Sequence, residues 1–155
     1  MNRAPRVTFA RDAVVATAVL AGLYLLGYGI QFQPLQIPTY LLIVGFDLIE
    51  VTVGSAGANY DVLFAAYIVG LGVLSAAVAH AVRATSCKTD LPQWRLGAAG
   101  ALAIVGTISL LFGIRILLVS TQRTPVLVTG AAGIALLALA GWLSGLYRIE
   151  FGAPQ

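Results

Sequence analysis

The side chains most in need of a chemical account are the few charged ones that stand close to or inside long apolar stretches, and Arg115 is the foremost of them. It lies a little over one turn inside the end of an apolar run, on a helical stripe with Ile104, Ile108 and Leu111. A guanidinium in that place can contact an anion, a substrate or a lipid headgroup. The plainer reading, which we prefer, is a structural charge that snorkels toward water or pairs with Asp47, Glu50 or Asp61. Those three carboxylates are an acidic group that could gather cations at a pore mouth, or act as partners of Arg115 and Arg123. Asp47 and Glu50 stand i, i+3 with no third ligand or histidine beside them, which is a poor pattern for a metal site.

His80 is the one histidine of the chain and a weak ligand candidate. Haem or zinc ligation there would need a second chain or unusual partners, so an interfacial imidazole hydrogen-bonded to backbone or water is preferred. Cys87 is the one cysteine, which excludes an intrachain disulfide and thiol–disulfide chemistry within one chain. A Ser/His/Asp arrangement, an HExxH motif and a bis-histidine pair are all missing from the sequence, so no catalytic residue, metal or cofactor is assigned. Trp142 and Tyr67 are expected to fill space between helices.

These residues are set in a chain of 155 residues that is 59% apolar and 10% charged. An ordinary soluble domain is about 45–50% apolar and about 25% charged, so this composition cannot cover a soluble fold with polar groups. Four stretches, approximately 13–30, 62–82, 96–119 and 126–147, are long enough to cross a hydrocarbon core, which takes about 20 helical residues. Backbone groups need partners in lipid, so each is expected to be a helix. The fold class expected is all-α, a single membrane domain with four helices in a compact bundle.

Basic residues set the expected orientation. Arg3, Arg6 and Arg11 precede the first stretch, Arg83, Lys88 and Arg95 flank the loop between the second and third, and Arg148 follows the fourth. The opposite side has Arg123 alone in its connections. This asymmetry puts both termini in the cytoplasm. Arg3, Arg6 and Arg11 could suggest a signal peptide, but the apolar run is too long and lacks a small-x-small cleavage site, so it is expected to be a retained helix. The preference for arginine over lysine, with Lys88 the one lysine, points to a GC-rich prokaryotic genome and hence to a cell membrane. The net charge of +3 is no nucleic-acid signature, because the basic residues are dispersed at the ends of apolar runs.

The segment 31–59 is the unusual connection. Pro34 and Pro38 are expected to keep its start irregular, and 40–53 is apolar but carries Asp47 and Glu50. We expect an amphipathic element resting on the outer ends of the helices or dipping among them. A fifth crossing is the alternative, although it would put two carboxylates in the span and set the termini on opposite sides. Close helix packing is expected at Gly141-xxx-Gly145, along Ala99, Ala103, Gly106, Leu110 and Gly113, and along Ala66, Gly70, Val73 and Ala77.

The midplanes of the four stretches, near Ala21, Gly72, Thr107 and Leu136, hold no acid, base, Asn or Gln. Proton-coupled transport needs an ionisable group held in the span, so a proton relay or antiporter is disfavoured. The expected function is a non-enzymatic accessory or scaffold subunit of a membrane assembly, with the bilayer and other membrane subunits or further copies of the chain as partners. A small oligomeric channel or transporter using Asp47, Glu50 and Arg115 is the second reading, and a membrane redox or enzyme subunit the third.

Overall fold

The computed structural model of the chain describes residues 4–30, 32–85, 92–119, 121 and 123–146. Arg3, Cys87, Lys88 and Arg148, which entered the reading above, lie outside them. The described residues form five helices: α1 (Ala4–Gly29), α2 (Gln33–Val53), α3 (Tyr60–Thr85), α4 (Gln93–Val119) and α5 (Arg123–Leu143). A short turn of 3-10 helix at Gly57–Asn59 leads into α3.

All five are long and apolar enough to cross a membrane, one more than the four stretches expected. The additional helix is α2. Proline does not prevent it, because a Pro occupies the first turn, where the backbone N–H would have no helical partner. Pro38 removes one internal hydrogen bond and is accommodated within the helix. The Gln36 side chain steadies the entry by donating Nε2 to the Ile30 carbonyl at 3.0 Å.

Contacts fix the direction of each helix. Asp12 meets Arg83, Thr17 lies against Gly72, and Tyr24 packs on Phe64, so α1 and α3 are antiparallel. Ser75 lies against Gly100, and Leu71 and Ile108 line a common cleft, which sets α4 antiparallel to α3. Gly106 meets Gly133 and Leu137, Gly113 meets Thr129, and Arg95 meets Trp142, which sets α5 antiparallel to α4. The start of α1, the end of α3, the start of α4 and the end of α5 therefore share one end, here called proximal.

Helix α2 belongs to the other, distal end. Thr39 donates its hydroxyl to the Leu23 carbonyl at 2.8 Å, near the end of α1. Phe46 packs edge-on against Tyr60 and Phe64 at the start of α3, with ring centroids 5.2 and 5.4 Å away. Both ends of α2 join distal helix ends, through Ile30 to Phe32 on one side and Gly54 to Asn59 on the other.

Small residues set how closely the helices approach. A Cβ on Gly100 would sit 2.5 Å from the Ser75 carbonyl oxygen. A Cβ on Gly133 would sit 3.0 Å from the Gly106 carbonyl oxygen, so α4 and α5 are in near backbone contact. Such proximity lets dispersion act between helices in lipid, where the hydrophobic effect does not drive them together. The face of α4 carrying Gly106, Leu110 and Gly113 makes this contact, as its spacing suggested.

Two other packing expectations differ from what is found. Ala66, Gly70, Val73 and Ala77 of α3 are exposed, and the buried face is Phe64, Ile68, Leu71, Ser75, Ala76 and Ala79. Both faces are apolar, so hydropathy does not distinguish them; on the buried one Phe64 meets the rings of Tyr24 and Phe46, and Gly72 and Ser75 let α1 and α4 approach closely. Gly145 lies beyond α5 with φ 77°, where it caps the helix. Leu146 N–H donates to the Gly141 carbonyl at 3.0 Å and Gly145 N–H to the Trp142 carbonyl at 3.2 Å, a Schellman closure that favours glycine.

Candidate functional site

Among the described residues the buried charge is Asp12, which the sequence analysis does not single out. Asp12, Ala16 and Leu20 stand one turn apart on α1 and are all fully buried. Asp12 Oδ2 lies 2.5 Å from Arg83 Nη1, and Asp12 Oδ1 lies 3.4 Å from Arg11 Nη2. The Arg83 contact is an ion pair by proximity and lacks hydrogen-bond angles. The backbone of Asp12 also meets Gly97 of α4, where a Cβ would stand 3.0 Å from its carbonyl oxygen. One carboxylate thus joins α1 to α3 beside a close approach of α4 to α1. An acid taken out of water is tolerable when paired, and two guanidiniums provide more than enough positive charge. A signal for it existed: a single acid at the start of an apolar run, with an arginine at the end of a neighbouring run on the same side.

Of the expected polar group, Asp47, Glu50 and Asp61 all lie close enough to Tyr60 to act on it electrostatically, and Arg115 makes no ion pair with them. Among the described residues the ion pairs within 4.0 Å are Arg83–Asp12 and Arg11–Asp12. Asp47 and Asp61 are exposed, and Asp61 stands in the first turn of α3, where the helix dipole favours a negative charge. Glu50 has a local structural role. Its Oε1 accepts from Ala56 N–H at 2.6 Å, and its carbonyl accepts from Gly54 N–H at 2.8 Å, closing the turn after α2. Gly54 holds φ 115° there, a conformation open to glycine.

Arg115 is exposed on α4 and stands at the rim of an apolar cleft between α2, α3 and α4. The cleft has a volume of about 290 Å³, and Leu41, Leu48, Leu71 and Phe112 are among its walls. Gly45 leaves room for the Tyr67 hydroxyl, which would lie 2.5 Å from a Cβ at that position. A neighbouring cavity of about 260 Å³ lies on the Glu50 side of α2, and Ile49 and Tyr67 line both.

His80 is exposed on α3, away from the packed face. Among the described residues no group of three or more His, Cys, Asp and Glu side chains could hold a metal ion. Trp142 is 47% exposed rather than buried between helices. Its ring lies under the Arg95 guanidinium at 5.5 Å, and its carbonyl accepts from Arg95 Nη2 at 3.3 Å. Tyr67 joins Phe46 and Phe64 in an aromatic cluster that also includes Tyr24 and Tyr60.

Comparison of the chain with protein-family models, curated proteins and solved structures gives no match. The fold and the placement of its polar residues are therefore the grounds for a functional reading.

Proposed function

We propose that this chain is a four-crossing protein of the cell membrane with both termini cytoplasmic, acting as a non-enzymatic scaffold subunit of a larger membrane assembly. Helices α1, α3, α4 and α5 make the crossings. Helix α2 lies obliquely in the outer half, because both of its connections run to distal helix ends. A helix of its 21 residues is about 31 Å long, so a full crossing would carry its far end to the proximal side. The basic residues at the proximal end, Arg11, Arg83 and Arg95 among them, favour the cytoplasmic side for that end.

The observation that carries the scaffold reading is how the buried polar side chains are used. Asp12 pairs with Arg83, Ser109 donates to the Thr129 carbonyl at 2.6 Å, and Thr39 donates to the Leu23 carbonyl at 2.8 Å. Each joins two helices of the chain, and Ser75 bonds its own helix at Leu71. The exposed face of α3 around Gly70, whose missing side chain would meet nothing within 4 Å, suits close approach by a partner's helix.

Two experiments test this. Cysteine reporters at Ala4, Asn59 and Gln155 in a Cys87→Ser background should label from outside at Asn59 alone; outside labelling at Gln155 overturns the four-crossing arrangement. For the function, Gly70→Trp should release a stoichiometric membrane partner from the detergent-purified protein while leaving its melting temperature unchanged. Ion or solute flux through liposomes containing the purified chain alone would overturn the scaffold reading in favour of a channel.

A further inference from the structure

We propose that the cleft between α2, α3 and α4 binds an anionic phospholipid, with an acyl chain between the helices and the phosphate on Arg115. The walls come from three helices: Leu41, Gly45 and Leu48 of α2, Tyr67 of α3, and Phe112 and Arg115 of α4. Apart from the Tyr67 hydroxyl and the Arg115 guanidinium, the side chains lining the cleft are apolar. A volume of about 290 Å³ accepts a length of hydrocarbon chain and is too apolar to favour a hydrated ion.

The charge at the mouth has one sign. Arg115 has no carboxylate within 4.0 Å among the described residues, and the Glu50 carboxylate is held on the far side of α2 by Ala56 N–H. Arg115 stands one turn before the distal end of α4 at Val119, which on the four-crossing reading proposed above is near the membrane–water interface. A guanidinium holds phosphate through paired N–H donors. An apolar slot opening under a guanidinium near that interface matches the two parts of a phospholipid in order.

The test uses the full chain in nanodiscs of phosphatidylglycerol and phosphatidylcholine with matched acyl chains, with retained lipid counted by native mass spectrometry. Wild type should retain phosphatidylglycerol about fivefold above the mixing ratio, the preference one basic residue near a membrane surface supplies. Arg115→Gln should bring retention down to the mixing ratio, and Arg115→Lys should keep most of the preference. Leu48→Trp fills the cleft and should lower total retained lipid of both kinds with unchanged helix content. The proposal is overturned by any of four results: no preference in wild type, full preference in Arg115→Gln, undiminished lipid in Leu48→Trp, or displacement of phospholipid by added free fatty acid. The two Arg115 variants decide the headgroup question independently of whether Leu48→Trp folds.

Discussion

The two ends of the helix assembly are held together by different means. At the proximal end, Asp12 is gripped between arginines, and Gly97 and Gly100 bring α4 into backbone contact with α1 and α3. At the distal end, the rings of Tyr24, Phe46, Tyr60, Phe64 and Tyr67 hold the helices, and α2 is inserted among them. Small residues allow close approach, and a cavity of about 190 Å³ lies beside them, bordered by Gly100, Ala140 and Gly141. Large rings hold the backbones further apart, and the cavities of about 290 and 260 Å³ beside α2 lie where they do so. Both ends thus leave space between helices, but the distal cavities are larger and are bordered by rings rather than by small residues.

The largest effect should come from the buried charge. Arg83→Leu leaves Asp12 with only the more distant Arg11, and should cost about 3 kcal/mol, the lower end for breaking a buried pair. Asp12→Leu combined with Arg83→Leu should recover much of that loss in detergent melting experiments, since removing both partners leaves no buried unpaired charge. If the double variant is no more stable than Arg83→Leu, the pair is not what secures the proximal end.

Close packing ranks next. Gly100→Leu places a side chain where even a Cβ meets the Ser75 carbonyl at 2.5 Å, and should cost about 1–3 kcal/mol. Gly70→Leu on the exposed face of the neighbouring helix should be nearly silent in the isolated protein, because nothing lies within 4 Å. Equal losses for the two would remove the distinction between packed and exposed faces.

At the distal end, Phe46→Leu keeps an apolar side chain but removes ring contacts with Tyr60, Phe64 and Tyr67. The expected cost is about 1 kcal/mol, with faster proteolysis at Gly54–Asn59 as α2 loosens. A uniform loss of protection in α4 and α5, read by hydrogen exchange, would show that the distal layer is not a separate unit. The smallest effect belongs to Ser109→Ala, which removes the hydrogen bond to the Thr129 carbonyl. Interhelical bonds in membranes average about 0.6 kcal/mol, so the melting point should fall only slightly. A fall as large as that of Gly133→Leu, where a Cβ already meets the Gly106 carbonyl oxygen at 3.0 Å, would mean that polar bonding rather than close approach holds α4 to α5.

Hydropathy determined from the sequence alone that this chain is built of membrane-length helices, since lipid leaves an apolar stretch without another way to satisfy its backbone. It located α3, α4 and α5 to within a few residues, and it marked the unusual connection that became α2. The spacing of small residues on α4 likewise marked the face of Gly106 and Gly113 as a close-packing one, and the structure shows α5 against it. Which face of α3 turns inward was not legible, because a helix apolar all round has no polar side to point outward. The same limit hid Asp12, which borders an apolar run like any flanking charge until Arg83 arrives from a helix far along the chain. Tertiary structure also decided that Glu50 closes a turn, that Gly145 ends α5, and that Arg115 overlooks a cleft rather than meeting a carboxylate. Each of these depends on which helices become neighbours. In lipid, side-chain size and the pairing of a few polar groups make that choice, and hydropathy records neither.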